Sequence, residues 1–268
     1  MKSNYAKFLF TGLILALSVP ASQAAITCSQ SDYKGVYAYS SQGALIQLPP
    51  QAAALIGPFS QAGVIISDGL GNLTLQTKAS YNGIILDGNT TATYTVTPDC
   101  QIVFNVFLPA PLNVNSVFNG VLAWNVRQTA LMITTPQGSV LPAQQFKQDL
   151  RFCGVGDLNG AYQLSLGGTI VAPKQIAGLY SEVGRLVADG NGNFSATSTA
   201  DYGGGVQQET LSGTYTVDSN CIATFNATLN GQPFSFYGPL TGHGEQTLLV
   251  VTTQGWAVTG ALRTQQMQ

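Results

Sequence analysis

The sequence carries very little charge. Only 8% of its 268 residues are Asp, Glu, Lys or Arg, whereas an average soluble domain has about 25%. Its 10 basic and 12 acidic side chains leave a formal net charge of −2. Because nucleic-acid binding requires a basic surface that neutralises phosphates, the composition excludes nucleic acid as a partner.

Long apolar runs are missing after the first 24 residues. Lys2 and Lys7 precede the apolar run Phe8–Val19, and Ser22-Gln23-Ala24 places small residues at the positions of a cleavage site. This arrangement predicts a signal peptide over residues 1–24, cleaved after Ala24. We therefore expect a secreted or periplasmic protein whose mature chain has no transmembrane helix.

The rest of the sequence repeats itself. The shared motifs, each given by its first residue in the two copies, are Cys-x-x-x-Asp-x-x-Gly-x-Tyr at Cys28 and Cys153, Asp-Gly-x-Gly-Asn at Asp68 and Asp189, and Thr-Tyr-Thr-Val at Thr93 and Thr214. Their order is the same in both copies. This predicts a tandem duplication with one domain over residues 25–147 and another over 148–268.

Within each copy the apolar pattern has a period of two residues. Short runs rich in Val, Ile, Thr, Tyr and Phe alternate with turn dipeptides such as Asp68-Gly69 and Asn82-Gly83, a pattern typical of antiparallel strands joined by hairpins. Such a meander must close or be covered, because open strand edges pair with other chains. The sequence therefore predicts an all-β protein of two tandem meander barrels with about seven or eight strands each, with β-sandwiches as the second choice.

The first strand of each copy begins with a short motif, Gly35-x-Tyr37 and Gly160-x-Tyr162. It resembles the Gly-x-Trp motif of calycin barrels, which include lipocalins and avidins, with Tyr in place of Trp. A secreted meander of this size is also similar to allene-oxide-cyclase and dirigent barrels. The resemblance implies the barrel architecture and assigns no functional residue.

Four cysteines in an exported chain suggest disulfide bonds. Four cysteines allow three pairings, and the duplication favours the one in which each copy closes its own bond. We therefore predict the disulfides Cys28–Cys100 and Cys153–Cys221. A metal site is the competing interpretation, but the sequence has no Cys-x-x-Cys pair.

Few residues offer catalytic chemistry. A Ser-His-acid triad needs a histidine, and the only one, His243, lies in a Gly-rich segment typical of a turn. Glu182 and Glu209 have no acidic counterpart in the first copy, so the sequence alone cannot show a retained carboxylate pair. We predict no catalytic residue, no metal and no cofactor, and favour a binding protein over an enzyme.

Aromatic side chains are the best candidates for contacts with a ligand. Tyr37 and Tyr162 recur on strands, whereas Trp124 and Trp256 occur in one copy each. We predict these four as ligand-binding residues, with core packing as the alternative for the tyrosines. The resulting hypothesis is an exported two-domain barrel protein that binds or carries a small apolar molecule or a glycan. The alternatives are an extracellular structural or surface-interaction protein and a cyclase-like barrel enzyme acting on an apolar substrate.

Overall fold

The computed structural model describes residues 27–123, 127–135, 137–148 and 153–265, with only the backbone of His243. The protein is all-β and consists of two closed antiparallel barrels of eight strands in tandem. This confirms the predicted fold class. The helical elements of these ranges are short 3-10 turns, and none is long and apolar enough to cross a bilayer.

The first barrel contains ten strands, of which eight close the ring. The strands are β1 (Lys34–Leu45), β2 (Gly57–Asp68), β3 (Asn72–Tyr81), β4 (Ile84–Asp87), β5 (Thr90–Val96), β6 (Gln101–Leu108), β7 (Val114–Leu122), β8 (Gln128–Thr135), β9 (Ser139–Val140) and β10 (Pro142–Gln148). The barrel order is β1-β2-β3-β5-β6-β7-β8-β10, with β10 paired to β1, while β4 pairs with β3 and β9 with β1. The expected domain boundary between residues 147 and 148 thus falls at the last residue of β10.

The second barrel has eight strands in sequential order. They are β11 (Asn159–Ile170), β12 (Gly178–Asp189), β13 (Asn193–Tyr202), β14 (Gly205–Val217), β15 (Ile222–Leu229), β16 (Gln232–Thr241), β17 (Gln246–Val251) and β18 (Trp256–Thr264). Short 3-10 helices cover Gln30–Asp32, Pro50–Leu55, Val155–Asp157, Lys174–Ile176 and Gly242–Gly244. The first strand of each barrel, β1 in one and β11 in the other, pairs over its full length with the strand that follows it.

One end of each barrel is tied by a disulfide, and we call it the disulfide end. Cys28 is bonded to Cys100 and Cys153 to Cys221, so the predicted pairing is confirmed. Next to the first bond, the Tyr94 hydroxyl donates to the carbonyl oxygen of Tyr33 at 3.0 Å. Tyr215 makes the same contact in the second barrel, to the carbonyl oxygen of Leu158 at 2.6 Å. The repeated Thr-Tyr-Thr-Val motif therefore anchors the chain that enters the first strand.

Repeated acidic residues shape turns at the disulfide end. The Asp68 carboxylate accepts hydrogen bonds from the backbone N–H groups of Leu70 and Asn72, at 2.7 and 3.1 Å. Asp189 accepts the same two bonds in the second barrel. Hydrogen bonding to the charged form holds the pKa of both exposed carboxyls below the usual range, through Asn72 in one case and Asn193 in the other. These aspartates have a structural role in both copies.

The barrels pack against each other through outer faces. The shared apolar cluster consists of Val36, Ala62 and Val64 from the first barrel and Ile222, Tyr237 and Val250 from the second. At its rim the Thr259 hydroxyl donates to Gln42 Oε1 at 2.8 Å. The Lys78 ammonium lies 5.6 Å from the centroid of the Tyr237 ring, within the range of a cation–π contact. The contact uses exterior side chains and leaves both interiors independent.

Candidate functional site

The first barrel encloses a cavity. Its volume is about 70 Å³, several times the space that one water molecule needs. All eight barrel strands contribute to its walls, and β5 does so only through its first residue, Thr90. Leu48, Gly88, Leu112 and Ser139 line it at the end opposite the disulfide, which we call the far end. The space is therefore large enough for a small molecule.

The first barrel's core consists of two apolar clusters, and the cavity is lined by members of both. One apolar cluster lies toward the disulfide end and includes Tyr33, Tyr37 and Phe104. Another lies at the far end and includes Phe59 and Tyr81. In the second barrel, by contrast, one continuous cluster runs from Leu158 at the disulfide end to Trp256 at the far end.

Strand register shows which residues are equivalent in the two barrels. Ser139 pairs with Leu45 as Trp256 pairs with Ile170, and both partners end the first strand of their barrel. By the same counting, the cavity residues Gly88, Ser116, Ser139 and Gln145 correspond to Glu209, Phe234, Trp256 and Leu262. All four residues of the second barrel are buried and larger or more apolar than their counterparts. The hollow interior is thus a property of the first copy and not of the repeat.

Aromatic rings fill the far end of the second barrel. The Trp256 ring lies edge-on to Tyr180 and to Phe234, with centroids 5.0 Å apart in both cases. Tyr202 packs edge-on against Tyr180 at 5.1 Å. These four residues form what we call the aromatic plug. Such edge-to-face pairs add to the burial of apolar area and stabilise this end of the barrel.

Two carboxyl groups are buried next to the aromatic plug. The Tyr180 hydroxyl donates to Glu182 Oε2 at 2.5 Å, and the Tyr202 hydroxyl donates to Glu209 Oε1 at 2.7 Å. Burial raises the pKa of Glu182; the Ser198 and Tyr180 hydroxyls oppose this rise, and the charge of Glu209 adds to it. The fold therefore brings together two acids from β12 and β14, strands that are not adjacent in the barrel.

Most of the cavity lining is apolar, and no charged side chain lines it among the described residues. The hydroxyls of Tyr39 and Thr77 hydrogen-bond to each other. Burial raises the pKa of Tyr39 and of Tyr81 well above 10, so both hydroxyls stay protonated at neutral pH. The lining therefore offers hydrogen-bonding groups but no acid or base that titrates near neutral pH.

Three polar atoms in the lining have no hydrogen-bond partner within the described part of the chain. They are Gln145 Nε2, Ser116 Oγ and Ser139 Oγ. Gln145 is held by the Tyr33 hydroxyl, which donates to its Oε1 at 2.7 Å. Because an unpartnered polar atom away from water costs free energy, each of the three is a point where a bound molecule gains by supplying a partner.

The four predicted ligand-binding aromatics lie in different settings. Tyr37 is fully buried and stacks on Tyr33, with centroids 4.2 Å apart, outside the cavity lining. Tyr162 is buried in the core of the second barrel, and Trp256 belongs to the aromatic plug. Trp124 lies outside the described residues. The first residue along the chain that lines the cavity is Tyr39, two residues after Tyr37. Ligand contact by the four predicted residues stays a prediction.

Sequence reasoning missed the residues that define the cavity. A usable signal lay in the differences between the copies, since Ser116 and Ser139 are small where Phe234 and Trp256 are large. Glu209 could also be placed, because it alternates with the inward-facing Leu211 on β14. A metal centre finds no support in the described ranges, which hold no group of three or more His, Cys, Asp or Glu residues placed to bind an ion.

No family model matches the chain, and no curated protein does. A solved structure that matches is a protein of unknown function from the DUF3598 family of Nostoc punctiforme. It is 12% identical, with 88% of this chain and 100% of that chain covered and a TM-score of 0.23. A TM-score this low supports no argument about fold or function.

Proposed function

We propose that the protein is an exported binding protein that holds a small, uncharged, apolar molecule inside its first barrel. The observation that carries this proposal is the contrast between the two interiors. The same strands in the same register enclose a cavity in one copy and the aromatic plug in the other. An empty apolar cavity weakens a protein, because its walls lose dispersion contacts. A ligand that fills the cavity restores those contacts.

The lining favours this function over glycan binding and over cyclase-like catalysis. Glycan recognition relies on many polar groups, whereas the lining here consists mainly of Leu, Ile, Val, Phe and Ala side chains. A cyclase-like enzyme would need a group that gains or loses a proton, and the described lining offers only tyrosine hydroxyls with raised pKa values. Binding requires neither feature.

Export is supported by the cysteines. All four are paired in disulfides, and such bonds persist in oxidising compartments. Together with the predicted signal peptide over residues 1–24, this favours a secreted or periplasmic location. Fractionation of expressing cells, followed by mass spectrometry of the mature N-terminus, would test it. Cytoplasmic protein that retains residues 1–24 would contradict it.

The binding proposal is tested by filling the cavity with the residue found in the second copy. Ser116→Phe introduces the counterpart of Phe234, and Asn115→Phe places the same ring on the exposed face of the same strand as a control. The probes are methylenecyclohexane and cyclohexanone. We expect both to raise the melting temperature of the wild type and the control, but not that of Ser116→Phe.

Two results would contradict binding in the first barrel. One is a wild-type protein whose melting temperature and native mass are unchanged up to the solubility limit of every probe. The other is a Ser116→Phe variant that binds as well as the control. Phe234→Ser opens the equivalent space in the second barrel. We expect this variant to bind two probe molecules per protein instead of one.

A further inference from the structure

We infer that the ligand carries an uncharged hydrogen-bond acceptor, such as a carbonyl oxygen, which Gln145 Nε2 binds. This inference rests on the proposed function and specifies its ligand class. Gln145 lies on β10, opposite Tyr39 of β1 and Thr129 of β8. It is 1% exposed, so water outside the barrel does not satisfy its amide.

The hydrogen bond with Tyr33 orients the amide. Gln145 Oε1 accepts from the Tyr33 hydroxyl at 2.7 Å, and Tyr33 does not line the cavity. The amide oxygen is therefore turned away from the cavity, and the amide nitrogen is the group that Gln145 presents to it. Nε2 is a donor with no partner in the described ranges. A ligand oxygen in contact with it satisfies a donor that is otherwise buried without a bond.

The second barrel shows that the fold does not need this polar group. Leu262 occupies the position equivalent to Gln145 and pairs with Leu164, as Gln145 pairs with Tyr39. The other two unpartnered polar atoms of the lining belong to Ser116 and Ser139, and their counterparts are aromatic. All three unpartnered groups of the lining thus have apolar counterparts in the second barrel, whose own unpartnered atoms, on Glu182, Ser198, Glu209 and Thr247, lie at other positions. The common feature of the three groups is that they face the cavity.

The acceptor is uncharged because the lining offers no cation. No Lys, Arg or His lines the cavity among the described residues. A carboxylate or phosphate bound there would be buried with one amide donor and two serine hydroxyls and no opposite charge, an arrangement that is costly in an apolar site. A ketone, aldehyde, ester or amide oxygen gains the hydrogen bond without that cost.

The experiment compares two probes in two matched variants, the wild type and Tyr33→Phe/Gln145→Leu. Cyclohexanone and methylenecyclohexane differ only in C=O against C=CH₂. In the wild type Tyr33 holds the Gln145 amide in place, and the double variant removes the donor without leaving a tyrosine hydroxyl unpartnered. The quantity measured is the ratio of the two dissociation constants in each variant, because the hydration of the free probes cancels between variants. We expect the double variant to lose about fivefold to tenfold of the preference for the ketone, the effect of one neutral hydrogen bond.

Each outcome separates this inference from the proposed function. A ratio that agrees within about twofold between the variants overturns the inference and leaves binding intact. Binding of neither probe to the wild type overturns the proposed function itself. If cyclohexanecarboxylate binds more tightly than the ketone at pH 8, the acceptor is charged and the inference is also overturned. Should the double variant not fold, Gln145→Leu alone, which installs the residue of the second barrel, provides the same ratio.

Discussion

The two barrels share a frame and differ in what fills it. Each has eight paired strands, a disulfide at one end and a buried tyrosine, Tyr94 or Tyr215, that hydrogen-bonds the chain before the first strand. At the far end, however, Ser116 and Ser139 face a cavity where Phe234 and Trp256 form part of a packed plug. Closure of the barrel therefore depends on the repeated residues, whereas the nature of its interior depends on a few inward positions that the copies do not share.

The second barrel also differs in where it places charge. Glu182 and Glu209 stand at the positions of Gln61 and Gly88, so the filled barrel buries two carboxyls where the hollow one has an amide and a glycine. Buried carboxyls weaken a fold unless they are protonated or paired. The Tyr180 and Tyr202 hydroxyls offset part of that cost, while Glu182 Oε1 and Glu209 Oε2 have no partner within the described residues. The two copies thus illustrate two ways of filling one barrel.

The largest expected effect tests the shared frame. The disulfides close loops of similar length, with sequence separations of 72 and 68 residues. We expect Cys28→Ser/Cys100→Ser and Cys153→Ser/Cys221→Ser each to lower the unfolding free energy of their own barrel by about 4 kcal/mol. Hydrogen exchange read by mass spectrometry reports the two barrels separately. A loss confined to one of the two variants would show that the frames are not equivalent.

Opening the aromatic plug is the next test. Phe234→Ser introduces the residue of the first barrel into a packed core, and we expect it to destabilise the second barrel by about 3 kcal/mol because it leaves a cavity. Chemical denaturation measures the loss, with Ser235→Ala on the same strand as a control. An unfolding free energy unchanged by Phe234→Ser would mean that the plug does not stabilise the barrel.

A third prediction concerns the pH dependence of the second barrel. Burial raises the pKa of Glu182 above its ordinary value of 4.5, so between the two values the folded state binds more protons than the unfolded state. Stability therefore falls as pH rises through this window. Glu182→Gln, which installs the residue of the first copy, should remove that decrease and raise stability at neutral pH. Denaturation midpoints between pH 4 and pH 8 measure it, and parallel curves for variant and wild type would contradict it.

The smallest expected effect on stability comes from a substitution that narrows the cavity of the first barrel. A Cβ at Gly88 would lie 3.4 Å from Thr77 Cβ, an ordinary contact, so we expect Gly88→Ala to change the unfolding free energy by less than about 1 kcal/mol. It should still weaken binding of methylenecyclohexane. Gly120→Ala is the contrasting control, since its Cβ would collide with the carbonyl of Ala130. Equal losses of stability in both variants would contradict the assignment of Gly88 to the cavity wall.

Much of the frame could be predicted from local patterns. Alternation with a period of two residues and turn dipeptides such as Asp68-Gly69 indicate strands and hairpins because both depend on neighbouring residues. The repeated cysteines identified the disulfides because the duplication made one of three pairings the natural choice. Asp32, the aspartate of the repeated motif that begins at Cys28, likewise has a local contact, since it accepts a hydrogen bond from the backbone N–H of Ser29 at 2.7 Å.

The candidate site could not be predicted in the same way. Tyr37 and Tyr162 stood out because they recur, yet recurrence selects residues that the common frame needs, and both are packed in cores. The cavity depends on Gly88, Ser116 and Ser139, which are distinguished only by having larger counterparts in the other copy. That difference acquires a meaning only when strand register shows that the three positions face the same space.

The sequence by itself determined the all-β class, the twofold repeat and the disulfide pairing, because each depends on local periodicity or on a motif present twice. Tertiary structure alone decided that one interior is hollow and the other packed. The physical reason is that the cavity is lined by residues from strands far apart in the chain, from Tyr39 to Gln145. Whether their side chains meet or leave a gap depends on barrel closure and register, which bring those strands around one shared space.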